Sequence, residues 1–181
     1  MATTNSTLTQ VQRQYQAARD KSVPLVVMRT VDPAAAVRAL EPVTRDEKDK
    51  PSPLIQWTNV TGFEAASTTG AVAARNMGGA SIVNPVEALL KAGTAPAGTS
   101  VVFQNLADYW GDTRVRQAFW NLRDPYKRDW RMAIAMGPDS AVPRILEHRR
   151  RSSRSRRGRL PDFAEGRGRI GSDAELDQFR R

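Results

Sequence analysis

The stretch that most constrains this fold is residues 99–110, TSVVFQNLADYW. Val101, Val102 and Phe103 form an unbroken apolar, β-favouring run, and the chain turns polar straight after it at Gln104, Asn105 and Asp108. A strand wetted on one face alternates apolar with polar residues. A run without alternation belongs to a strand buried on both faces, as in the middle of a parallel sheet. Ala97, Gly98 and Thr99 lead in as a turn, and residues 112–123 lead out as a helix-like segment. The stretch therefore predicts a central strand with the remaining strand and helix units laid beside it.

Taken in order, residues 8–20 predict a mostly polar helix with Thr7 or Thr9 as N-cap and an apolar stripe at Leu8, Val11, Tyr15 and Ala18. Residues 23–30, VPLVVMRT, read as the first strand. Asp32 then caps a helix that opens with Pro33 and runs to Leu40. Residues 41–53 are charged and broken by prolines, so they form an exposed loop. Residues 54–60, LIQWTNV, make a second, more polar strand nearer an edge. Residues 61–80, rich in Gly, Ala, Ser and Thr, read as a flexible connection with a short helix around 71–76. Ile82 and Val83 offer a strand fragment without an assigned place. Asn84 and Pro85 start a helix through residue 92, which Gly93 ends. After the 101–106 strand, Val115, Phe119 and Leu122 recur at helical spacing until Asp124-Pro125 closes that helix. Residues 131–136, RMAIAM, are the fourth strand, Gly137-Pro138 closes it, and a further helix starts near residue 140 and runs to 146. The alternation predicts an α/β fold: an open three-layer, mostly parallel sheet of four to five strands with flanking helices and right-handed crossovers.

The formal charge of +9 is placed unevenly. Residues 1–148 hold 17 Lys and Arg against 14 Asp and Glu, whereas residues 149–181 hold 11 against 5. This divides the chain into an α/β domain, 1–148, and an Arg/Ser/Gly-rich tail, 149–181, whose low apolar content predicts disorder. In the tail, Arg149, Arg150, Arg151, Arg154, Arg156, Arg157 and Arg159 lie close together, a density that attracts nucleic-acid phosphates through counterion release. No aromatic interleaves them to stack bases, so any such contact is non-specific. The N-terminus is polar and no apolar run approaches the roughly 20 residues of a membrane span, which predicts a cytoplasmic protein without a membrane partner.

No catalytic, cofactor or metal site is expected. Cysteine is absent, which excludes disulfides and Cys-ligated zinc. No glycine is followed by lysine, so a phosphate-binding P-loop is missing. The Gly-rich piece 70–81, GAVAARNMGGAS, lacks the strand spacing of a dinucleotide fold. His148 is the only histidine, and Asp108, past a strand end where α/β proteins place ligands, has no second acid beside it. Asp108 therefore reads as a capping or loop residue. Tyr109, Trp110, Trp120, Tyr126 and Trp130 crowd around one helix and read first as core. Adjacent Phe119 and Trp120 cannot face the same side, so one of them reaches an edge or a protein interface.

Across residues 8–147 the chain resembles the N-terminal region of the Ycf46-like group of AAA-type ATPases. The matching pieces, in order, are PLVVMRTVDPAAAVRAL, PLIQWTNVTGF, NPVEALLKAG, VVFQNLADYW, DTRVRQAFWNLRD and AIAMGPDSAVPRIL. The resemblance implies a non-hydrolysing α/β domain that precedes an ATPase module, acting by protein interaction or regulation, with ATPase subunits or other proteins as partners. VVFQN lacks the paired Asp-Glu of an ATPase, and no nucleotide-binding residue carries over. The change of composition at His148, with arginine outnumbering lysine by 23 to 5, leads us to expect a truncated or frame-shifted product. The other expectation is a native tail that makes the chain a small nucleic-acid-binding protein with the α/β domain as scaffold.

Overall fold

The computed structural model describes residues 9–138 except 46, 47 and 49. Its strands are β1 (Leu25–Arg29), β2 (Leu54–Thr58), β3 (Gly62–Ala65), β4 (Ser100–Gln104) and β5 (Met132–Gly137). They form one sheet in the order β1-β5-β4-β2-β3. All neighbours are parallel except β3, which returns antiparallel to β2. The apolar run from which the fold was read is the middle strand, and every residue from Ser100 to Phe103 is buried.

Helices cover both faces, and the period-two alternation of the strands decides which residue meets which layer. On one face Ile55, Trp57, Val101, Phe103, Ala133 and Ala135 pack under α3 (Gly70–Asn76), α4 (Pro85–Ala92), α5 (Thr113–Asn121) and α6 (Arg123–Arg128). On the other, Met28, Leu54, Val102, Ile134 and Met136 meet α1 (Gln10–Asp20) and α2 (Pro33–Leu40). Three-layer α/β architecture follows directly. α1 begins at Thr9, whose side chain and that of Gln12 form a reciprocal capping box. Asp32 and Asn84 cap α2 and α4, each followed by proline.

The structure departs from the sequence reading in three places. Residues 61–80 are not a flexible connection: they hold β3, α3 and a 3-10 turn at Gly79–Ser81. Gly62, with φ +69°, makes this packing possible, because a Cβ there would lie 2.5 Å from the Gly79 carbonyl oxygen. Asp124-Pro125 does not end a helix. Pro125 sits in the first turn of α6, where a missing N–H costs nothing because that turn's donors have no helical acceptor. Ile82 is buried but not in a strand, and its carbonyl accepts the indole N–H of Trp57 at 2.7 Å. The predicted helix at 140–146, His148 and the tail with its predicted disorder lie outside the described residues.

Candidate interaction surface

Parallel strands deliver their carboxyl ends to one edge of the sheet, where α/β folds build their ligand and partner sites from loops. At this edge β1 passes into Thr30–Val31–Asp32. The Thr30 N–H donates to the Gly137 carbonyl at 3.1 Å, and Asp32 accepts the Ala35 N–H at 2.8 Å to cap α2. Between these two anchors Val31 stands 94% exposed. β2 turns at Thr58, whose hydroxyl accepts the N–H of Thr61 at 2.9 Å, and Val60 at the tip is 78% exposed. Two valines held outward by fixed turns leave apolar surface in water.

Between them lies the segment after β4. Asn105 adopts φ +54° and donates its N–H to the Met136 carbonyl at 2.7 Å, which turns the chain into the 3-10 helix Leu106–Tyr109. Leu106 plugs the core, while Asp108 points to solvent. The Asn59 side-chain amide donates to the Tyr109 hydroxyl at 2.6 Å and ties the β2 turn to this helix. Trp110 meets Phe119 edge-on at 5.4 Å between ring centres. Asp112 caps α5 and is held by Arg114 at 2.8 Å. That guanidinium and the Arg114 backbone N–H keep its carboxyl below the ordinary carboxylate range. Just inside the edge, on the α1–α2 face, Gln104 donates to Gln56 at 3.0 Å and Gln56 to Glu64 at 3.0 Å, a partly exposed polar row across three strands.

The opposite edge is a clamp. Arg19 and Arg131, 7% and 6% exposed, are buried cations that sequence reading missed. Arg19 donates to the carbonyls of Trp130 at 2.8 Å, Arg45 at 2.5 Å and Gly98 at 3.3 Å, and lies 4.3 Å over the Trp130 ring. Arg131 donates to the Gly93 and Ala95 carbonyls, each at 2.9 Å, and pairs with Asp129 at 2.6 Å. Tyr126 beneath it gives its hydroxyl to the Ala92 carbonyl. Burial pushes its phenol far above the ordinary range, although the Arg131 charge opposes this. The cavity between these groups is about 10 Å³, room for no more than a water. One signal was available: Arg19 follows Tyr15 by four residues and so shares its buried face.

The aromatics therefore do not form one group. Tyr109 and Trp110 belong to the carboxyl edge, Tyr126 and Trp130 to the clamp. Trp120 is half-buried with the Arg123 guanidinium 4.8 Å over its ring, while Phe119 is fully buried, so the two adjacent rings do not share one side. Among the described residues no cluster of His, Asp or Glu is grouped to hold a metal ion, and no helix is long and apolar enough to cross a membrane. Arg149, Arg150, Arg151, Arg154, Arg156, Arg157 and Arg159 lie outside the described residues.

A family model, the N-terminal domain of SpoVK-like AAA ATPases, matches residues 12–150. The match names an AAA ATPase N-terminal domain, as the sequence reading did, and not the narrower Ycf46-like group. No curated protein and no solved structure matches the chain.

Proposed function

Because the chain belongs to the family of SpoVK-like AAA ATPase N-terminal domains, we propose that it serves an ATPase module as a non-catalytic domain that binds and regulates it. The carboxyl edge of the sheet is the contact surface. The observation that carries this is the placement of Val31 and Val60, two strongly exposed apolar side chains on anchored turns, on either side of Gly137, where the chain leaves the sheet. Apolar side chains on rigid turns give up little conformational entropy on docking, so they suit a protein contact. The test adds the purified chain to an AAA ATPase module and follows phosphate release. The expected result is a change in hydrolysis rate that Val31→Asp combined with Val60→Asp abolishes, with the melting temperature of the variant unchanged. Two outcomes refute the reading: no change in rate at a saturating concentration of the chain, or ATP hydrolysis by the chain alone that Asp108→Ala abolishes.

A second reading rests on the arginine density of residues 149–159. In it the tail anchors the chain to nucleic acid by charge alone. Binding to a mixed-sequence duplex would then fall steeply with salt and vanish on removal of residues 149–181. Salt-independent binding sinks it.

A further inference from the structure

The two edges of the sheet are treated differently. At one, the four-residue strand β3 has the Gly79–Ala80 backbone packed against Gly62 and carries Glu64, features that blunt an edge against further pairing. At the other lies β1, whose Leu25, Val26 and Val27 are all partly exposed. Its parity can be read from the ladder. Pro24 gives its carbonyl to Ala133, and Thr30 gives its N–H to Gly137, so the even-numbered residues 24–30 point their backbone groups at β5. Leu25 and Val27 therefore point theirs outward, and among the described residues no hydrogen bond reaches them. The one proline beside the strand does not guard this edge, because the N–H it lacks would face β5.

We propose that β1 pairs with β1 of a second copy, antiparallel about a two-fold axis through Val26, to form a continuous ten-stranded sheet across a dimer. In this register Leu25 lies opposite Val27 of the second copy and Val27 opposite its Leu25. Each is a hydrogen-bonded pair, so four bonds satisfy the outward N–H and C=O groups of Leu25 and Val27 in both copies. Val26 faces its own counterpart in a non-hydrogen-bonded pair, and every partly exposed apolar residue of the strand meets another. Arg29 falls opposite Val23 of the second copy, so no like charges are opposed. An open strand edge that is complementary to itself is filled by a copy without any other partner chemistry. Five residues a side bury well under the roughly 800 Å² per partner of a stable complex, so the dimer is weak, with a dissociation constant on the order of 100 µM.

The chain has no cysteine, so single thiols report the register cleanly. Paired residues at position 26 would have Cα atoms about 4.5 Å apart, within disulfide range. Under mild oxidation of the full chain, Val26→Cys is expected to form a covalent dimer at least tenfold faster than Val31→Cys, whose exposed thiol measures random collision. Leu25→Cys alone should crosslink no faster than that control, whereas a mixture of Leu25→Cys with Val27→Cys should crosslink fast. Sedimentation of the unmodified chain should show dimer at several hundred micromolar. Val27→Pro, which removes an outward N–H and leaves the β5 ladder whole, should then sediment as monomer. A monomer at all concentrations overturns the proposal, and so does a dimer whose position-26 thiol reacts no faster than position 31. Should Val27→Pro fail to fold, the crosslinking pattern decides alone.

Discussion

The hydrogen bond that tests the layered packing most directly joins Tyr15 of α1 to Ser100 at the start of the central strand. Their hydroxyl oxygens lie 2.8 Å apart, with the residues 1% and 0% exposed. Neither hydroxyl reaches water, so each depends on the other. Tyr15→Phe leaves the Ser100 hydroxyl buried with no partner, a desolvation cost of about 1–3 kcal/mol. Ser100→Ala strands the Tyr15 hydroxyl at a similar cost. The double variant removes both polar atoms and leaves two apolar groups of nearly the same shape, so its loss should be smaller than the sum of the two, with a coupling of about 1–2 kcal/mol. Urea unfolding of the four proteins, compared at equal m-value, measures it. Additive single losses, or singles that each lose less than about 0.5 kcal/mol, refute the inference that α1 seats Tyr15 against the central strand.

Three further outcomes are expected. Arg19→Lys should destabilise the domain by about 2 kcal/mol or more in thermal or urea unfolding, because a lysine cannot span three carbonyls and stack on Trp130 with one planar group. Gly62→Ala should cost at least about 1 kcal/mol and loosen β3, read as faster amide exchange there, since both φ +69° and the Gly79 carbonyl exclude a side chain. Asp112, Asp124 and Asp129 titrate below their ordinary value of 3.8, held there first by Arg114, Arg123 and Arg128 respectively. A depressed folded-state value means stability that is present above about pH 4 and lost as pH falls through the folded values. Unfolding midpoints should therefore hold from pH 7 to about pH 5 and fall below pH 4. Asp112→Asn should flatten part of that fall, and an unchanged profile would count against the Asp112–Arg114 pairing.

The sequence made the strands that are buried on both faces legible, because Val101–Phe103 and the 131–136 run have no polar alternation. Helix starts at Asp32 and Asn84 were equally plain, since a capping side chain followed by proline leaves few alternatives. β3 escaped notice because GFEA is four residues long, half exposed, and held by pairing with β2 rather than by any pattern of its own. The helix across Pro125 was misread because proline is neutral in a first turn and breaking elsewhere, and only the position of the preceding helix end distinguishes the two.

Local sequence alone thus determined four of the five described strands, most of the helices and the α/β class, and its motifs carried the resemblance to an AAA ATPase N-terminal domain. The elements and the class follow from short-range periodicity and capping. Strand order was decided only in three dimensions: β5, the last strand among the described residues, inserts between β1 and β4, and that single step places its carboxyl end at Gly137 between the loops after β1 and β4. The burial of Arg19 and Arg131 was decided there too, because a guanidinium leaves water only where folding gathers carbonyls from distant segments around it. The candidate surface is of the same kind. Val31 and Val60 are unremarkable in sequence, and they become one surface only because parallel strands carry their loops to the same edge.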